Sequence, residues 1–146
     1  MFGIILVAID GSEPGREALA TSLELGRICG AQVHAVHVIQ MVLPSMSMGT
    51  LEPVDTTQEL LFETLNQEAD ELLADAVRQA SGQGIELTAH KQWGSPGAEI
   101  VNLAGEIKAG LVVLGSQGHS RLERIFLGSV SSFVVEHSPC ATLIVR

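Results

Sequence analysis

The chain has 146 residues, about the size of one domain, and 46% of them are apolar, which is enough to bury a substantial core. Its formal net charge is −9, with only eight Lys and Arg together, so nucleic acid and anionic membrane surfaces are excluded as expected partners. Two cysteines are too few for a disulfide scaffold and no apolar run is long enough to span a membrane, so we expect a single soluble, cytoplasmic domain over 1–146.

The first third of the chain predicts a strand, a helix and a second strand. Residues 2–9 form a nearly continuous apolar run, which is typical of a strand covered on both faces. Ser12 can cap the helix that follows, Pro14 fits its first turn, and Gly30 ends it. A second strand is predicted over 31–39.

The middle of the chain predicts a loop, a long helix and a more polar strand. The stretch 40–55 shows no clear period, and a loop of that length is usually functional or mobile. The capping box at 56–59 begins an amphipathic helix that stops near Gly82. The strand over 85–92 is more polar than the others, so we expect it at an edge of the sheet.

The last third predicts two further strand and helix pairs. A third helix begins at Pro96 and ends at Gly110, and the apolar run 111–114 is the fourth strand. A short helix over 129–137 and a closing strand over 141–145 complete the chain.

This alternation of strands and helices predicts an α/β fold. We expect an open, mainly parallel five-stranded sheet with helices on both faces, a Rossmann-like arrangement. Ligands of such sheets bind outside the carboxyl ends of the strands, where the strand order reverses. Asp10 follows the first strand and a glycine-rich segment follows the fourth, so a shared ligand requires these two strands to be neighbours. The order 3-2-1-4-5 satisfies that requirement.

Five glycine and serine residues have a spacing typical of a phosphate cradle. They are Gly115, Ser116, Gly118, Gly128 and Ser129. Glycine lets backbone N–H groups approach an anion closely, and the first turn of a helix supplies further donors and a partial positive charge. The alternative is a pair of tight turns without a ligand. No P-loop lysine and no GxGxxG accompany the pattern, so backbone donors would hold the phosphates.

Other polar residues could take part in the same site. Asp10 could contact a ribose hydroxyl or, indirectly, Mg²⁺ or Mn²⁺ bridged by phosphates, or it could be a turn or capping residue. His119, Arg121 and Arg124 lie between the glycines and could reach phosphates, or they could be solvated loop residues. No nucleophile and base pair can be named, and the histidines show no metal-ligand spacing, so we expect no catalytic residue and no protein-held metal.

The chain resembles the universal stress protein family (UspA-like). The resemblance rests on the opening segment 5–12, the Gly94-x-Pro96 step, the glycine spacing and the ending 128–146, and it covers the chain except for about 40–55. It implies the open α/β fold of adenine nucleotide alpha hydrolase-like proteins. Because the glycine spacing is complete, it also implies the branch of the family that binds ATP or a related adenine nucleotide.

The resemblance also implies a role for individual positions. Gly115, Ser116, Gly118, Gly128, Ser129 and Val130 would surround the phosphates and the ribose. Ala8, Ile9 and Asp10 would flank the base and the sugar, and Val38 would pack on the adenine.

Together these observations favour an ATP-binding regulatory protein of the stress response over a fast enzyme. A slow ATPase or nucleotide hydrolase using His119 or Asp10, and an interaction module without nucleotide, stay open as alternatives. The apolar strand over 141–145 predicts a homodimer, since a bare strand edge can pair with a copy of itself and many family members are dimers through this strand. The sequence does not identify a protein partner.

Overall fold

A computed structural model describes residues 2–40, 56–117 and 127–146. These residues form five strands and four helices in alternation. The elements are β1 Ile4–Ala8, α1 Glu13–Cys29, β2 Gln32–Ile39, α2 Thr56–Ser81, β3 Leu87–Trp93, α3 Pro96–Glu106, β4 Leu111–Gly115, α4 Ser129–His137 and β5 Ala141–Val145. The stretch 41–55, most of the expected long loop, lies outside the described residues.

The five strands form one parallel sheet in the order β3-β2-β1-β4-β5, which confirms the predicted order. Strand β1 lies at the centre, and Val7 pairs with both Ala35 of β2 and Val113 of β4. The chain runs outwards from β1 through β2 to β3, then returns to the other side of β1 for β4. The order therefore reverses at the carboxyl ends of β1 and β4.

Alternate residues of the central strands pack against helices on opposite faces of the sheet, as predicted. Val7 is fully buried in a cluster with Leu23 of α1 and Leu73 of α2. Its neighbour Leu6 belongs to a second buried cluster with residues of α3 and α4. Burial on both sides explains why the sequence of β1 is an apolar run without alternation.

The predicted ends of α1 are confirmed. The Ser12 hydroxyl accepts a hydrogen bond of 3.2 Å from the N–H of Gly15, which satisfies one of the free donors at the start of the helix. Gly30 ends the helix with a φ of 65°, a left-handed conformation that glycine adopts without steric cost. Among the helices that the structure describes, none has the length and hydropathy that a bilayer crossing requires.

The predicted end of α3 at Gly110 is wrong. The helix ends at Glu106, and Lys108 takes the left-handed conformation with a φ of 56°. The N–H of Ala109 donates to the carbonyl of Ala104 and closes this turn. Gly110 instead donates its N–H to Ile4 of β1 over 2.9 Å, so it joins the sheet.

The two edges of the sheet are β3 and β5. The edge position of β3 confirms the prediction from its polar sequence. Strand β5 carries exposed and half-buried residues along its length. Its pairing with a second copy of the chain stays a prediction.

Two histidines connect β3 to its neighbour. The Nδ1 atom of His34 and the Nε2 atom of His90 are 2.9 Å apart, and the ring planes differ by 12°. A hydrogen bond between imidazoles needs one nitrogen without a proton, so it requires at least one neutral ring. Burial lowers the pKa of both histidines; the charge of His90 lowers the pKa of His34 further, and Glu106 partly raises that of His90.

We expect this pair to make the fold less stable in mild acid. Because both pKa values lie below the ordinary value of 6.5, the unfolded chain binds more protons than the folded chain as the pH falls past that value. The free energy of unfolding should therefore decrease between about pH 7 and pH 5, and less so in a His34→Gln variant. Urea unfolding at a series of pH values measures both slopes, and equal slopes would contradict the prediction.

Candidate ligand-binding crevice

A crevice of about 350 Å³ lies at the carboxyl ends of β1, β2 and β4. Its walls come from these strand ends and from the first turns of α1, α3 and α4. The position is the one where the strand order reverses, which is where open α/β sheets bind ligands. The volume falls within the range of about 300 to 1,000 Å³ that is typical of small-molecule sites.

Eight of the ten residues predicted for the site line this crevice. They are Ala8, Ile9, Asp10, Val38, Gly115, Gly128, Ser129 and Val130. Ser116 lies beside the crevice without lining it: its N–H donates to the Val145 carbonyl and its own carbonyl accepts from the Gly128 N–H, each over 2.8 Å. Gly118 lies outside the described residues, as do His119, Arg121 and Arg124.

Asp10 holds the start of α1 at one side of the crevice. Its Oδ1 atom accepts hydrogen bonds from the Ser12 N–H, over 3.0 Å, and from the Ser12 hydroxyl. A Cβ atom at Gly15 would lie 2.7 Å from the same Oδ1 atom, so a larger residue there would displace the Asp10 carboxylate from this network. Asp10 is thus a turn residue that also lines the crevice, and its contact with a ligand stays a prediction.

The end of β4 lies directly against the first turn of α1. A Cβ atom at Gly115 would lie 2.6 Å from the Cβ of Pro14 and 2.8 Å from its carbonyl carbon. Such distances are shorter than any normal contact, so Gly115 is needed because backbone approaches backbone here. The close approach brings the start of α1 and the end of β4 into one wall.

The starts of α1 and α4 differ in how their donors are satisfied. Ser12 caps α1 through its side chain, whereas α4 begins after Gly128, which is extended (φ −62°, ψ 164°), and no side-chain cap is present there. The first N–H groups of any helix lack partners within the helix and carry a partial positive charge. The first turn of α4 is therefore a stronger position for an anion than the start of α1. Helix α3 also begins without a side-chain cap, but its first residue is Pro96, which has no N–H to donate.

The described crevice wall offers mainly neutral donors. It contains one carboxylate, Asp10, and no Lys or Arg, while Ser129 contributes a hydroxyl. Within the described residues, no group of three His, Cys, Asp or Glu side chains could hold a metal ion. An anion in this part of the crevice would be held by amides and hydroxyls.

The opposite wall of the crevice is apolar. Val36, Val38, Ile100 and Leu114 line it. The Val36 carbonyl accepts from the Ile9 N–H over 2.9 Å, and Val38 lies two residues further along β2, so its backbone groups face the same side. Because the pairing of β1 with β2 ends at Ala8 and Val36, Val38 has no paired residue in β1, and it lines the crevice.

The crevice is also lined by residues that the sequence did not predict for it. They are Ser12, Gly15, Val36, His37, Gln40, Pro96, Ile100, Leu114, Gln117 and Ser131. Most follow the carboxyl end of a strand or begin the next helix, so the position of the elements was a usable signal. The position of His37 could not be predicted, because the register of β1 and β2 was not known from the sequence. Its Nδ1 donates to the Ile9 carbonyl over 2.8 Å, a contact that depends on this register.

The order of the parallel sheet defines an open α/β protein. The crevice and the helix start without a side-chain cap, both at the point of reversal, make a candidate site for a small ligand. The family model described as the universal stress protein family matches residues 1–146. The chain belongs to the universal stress protein family, as its motifs predicted.

Individual relatives agree with this assignment. The chain is 32% identical over 142 residues to the universal stress protein MJ0531 of Methanocaldococcus jannaschii, covering 97% of this chain and 81% of that protein. It is 33% identical over 148 residues to the universal stress protein YxiE of Bacillus subtilis, over the full length of both.

Solved structures show the same fold. The protein MJ0577 superposes with a TM-score of 0.84 at 26% identity, covering 99% of this chain and 96% of that one. The universal stress protein from Archaeoglobus fulgidus, in complex with dAMP, superposes with a TM-score of 0.67 at 25% identity, covering 97% of this chain and 96% of that one.

Proposed function

We propose that this chain binds an adenine nucleotide, with ATP as its ligand, and acts as a nucleotide-dependent regulatory protein of the stress response. The observation that carries the proposal is the first turn of α4, which begins without a side-chain cap and lines the crevice at the sheet's point of reversal. The complex of the similar Archaeoglobus fulgidus protein with dAMP supports an adenine nucleotide as the ligand class.

The phosphates would lie at the start of α4. The amides of Ser129 and Val130 belong to its first turn, where the N–H groups point out of the helix. Gly128 adds no side chain between these amides and an anion. A helix start with these properties binds phosphate without a cationic side chain, which suits a crevice wall that has none in its described part.

The base would lie against the apolar wall. Val38, Ile100 and Leu114 provide aliphatic surface for a flat ring. The backbone N–H and carbonyl of Val38 could donate to a ring nitrogen and accept from an exocyclic amino group. Adenine offers both partners, so these two groups would favour it over a base that presents a carbonyl in place of the amino group.

A divalent metal would be held chiefly by the phosphates. The described crevice wall offers one carboxylate, Asp10, and its Oδ1 atom already accepts from Ser12. Mg²⁺ commonly binds through one or two carboxylates together with substrate phosphates and water. Asp10 fits a role as a contact to such a bound water, and Mg²⁺ or Mn²⁺ would neutralise phosphate charge there.

The proposal is tested by identifying what the protein carries and what it binds. Protein purified without added nucleotide is denatured, and the released small molecules are identified by mass spectrometry. Calorimetry on nucleotide-free protein then compares ATP, AMP, adenosine and GTP. We expect ATP to bind more tightly than adenosine or GTP. An empty protein that gives no heat with ATP would contradict the proposal.

Regulation and catalysis are separated by single-turnover kinetics. We expect labelled ATP to dissociate intact, because phosphoryl transfer generally requires cationic groups or metal placed at the developing charge. Release of ADP faster than dissociation of ATP would favour the slow ATPase instead.

A further inference from the structure

We infer that Ser131 is a positioning residue for nucleotide phosphates. Its hydroxyl fixes the first turn of α4 against the end of β4 and thereby directs the amides of Ser129 and Val130 into the crevice. The inference rests on the proposed nucleotide binding and adds to it a side chain that the glycine pattern does not include.

The contacts of Ser131 reach out of its own helix. The residue is 3% exposed, and its hydroxyl donates over 2.7 Å to the Gly115 carbonyl, with a second, longer contact of 3.2 Å to the Ser116 carbonyl. These carbonyls belong to the last residue of β4 and to the residue directly after it. Ser22 in α1 provides the contrast: it is fully buried too, but its hydroxyl donates to Ala18 one turn earlier in the same helix.

Two hydrogen bonds to the end of β4 therefore lie on either side of Ser129 and Val130, the residues whose amides would face the crevice. Before them, the Gly128 N–H donates to the Ser116 carbonyl over 2.8 Å; after them, the Ser131 hydroxyl bonds to the same strand end. The strand end is itself fixed, because the Ser116 N–H donates to Val145 of β5. Ser129 and Val130 lie between these two hydrogen bonds, so the direction of their amides follows from the sheet.

The hydroxyl also changes the electrostatics of the crevice. A carbonyl oxygen beside a phosphate site carries partial negative charge and disfavours an anion. Donation from Ser131 engages the Gly115 and Ser116 carbonyls and balances that charge. Removing the hydroxyl would leave the two carbonyls without its hydrogen bond and would loosen the first turn of α4. Both effects would weaken the binding of the phosphates more than the binding of the base.

A comparison of ATP with adenosine separates this role from a general contribution to stability. Calorimetry is performed on the wild type, Ser131→Ala, Ser131→Thr and the matched control Ser22→Ala, which removes a buried hydroxyl bonded within its own helix. We expect Ser131→Ala to raise the Kd of ATP about tenfold and that of adenosine less than about twofold. Ser131→Thr keeps a hydroxyl and should restore ATP binding, and Ser22→Ala should leave both ligands unchanged.

The inference is overturned if folded Ser131→Ala binds ATP like the wild type or loses ATP and adenosine affinity equally. If circular dichroism shows that Ser131→Ala is unfolded, the same comparison is made with Ser131→Cys, whose thiol is a weak donor of similar shape. A wild type that does not bind ATP would remove the proposed function and the inference with it, whereas ATP binding that is indifferent to position 131 would remove only the inference.

Discussion

Replacing Ser129 with proline should lower ATP affinity about 10- to 100-fold, whereas replacing it with alanine should lower it only about threefold. Ser129 is the first residue of α4, and proline is well tolerated at that position because the first N–H of a helix has no partner within it. Gly128 has a ψ of 164°, in the extended region that a residue before proline adopts. The proline variant therefore deletes one amide donor with little disturbance of the helix.

The alanine variant is the matched control. Both substitutions remove the Ser129 hydroxyl, and only proline removes the N–H, so the difference between their ATP affinities isolates the backbone donor. Calorimetry measures the affinities, and thermal unfolding shows whether both variants keep the stability of the wild type. Equal ATP affinities in the two variants would show that this amide is not a phosphate donor.

The sheet order could be predicted because candidate ligand-binding residues follow two of the strands, and one ligand can contact both only if these strands are neighbours. Asp10 and Gly115 each follow an apolar run, and requiring both at one ligand places β1 beside β4. The ends of α1 were equally accessible, since Ser12 and Gly30 act through their own local chemistry. The end of α3 was not, because Lys108 occupies a left-handed conformation that sequence reasoning assigns to glycine.

In the candidate site, too, the residues that act through local chemistry could be predicted, and those that depend on tertiary packing could not. Gly115 could be predicted because glycine marks places where backbone comes close to another group, and Gly128 because glycine is favoured at the start of a helix. Ser131 could not, since a serine in the first turn of a helix gives no sign of whether its hydroxyl stays in the helix or reaches a neighbouring strand. That choice depends on how α4 lies against β4, which is a property of tertiary packing and not of local sequence.

Replacing Gly115 with alanine should both destabilise the fold and weaken nucleotide binding. The new Cβ would lie 2.8 Å from the Pro14 carbonyl carbon and 3.0 Å from its oxygen, so the backbone of α1 must move away from β4. Overpacking of this kind costs about 1–3 kcal/mol of the free energy of unfolding. Because the same movement separates two parts of the crevice wall, we expect ATP affinity to fall at least about tenfold.

Gly110→Ala is the control for this substitution, because it adds the same methyl group immediately before the same strand. The nearest atom to its Cβ would be 3.6 Å away in Phe2, an ordinary contact, so we expect the free energy of unfolding to change by less than about 0.5 kcal/mol and ATP affinity to stay unchanged. Urea unfolding and calorimetry measure the two properties. If Gly115→Ala matched Gly110→Ala in both, the close approach of α1 to β4 would not shape the crevice, and the glycine at 115 would need another explanation.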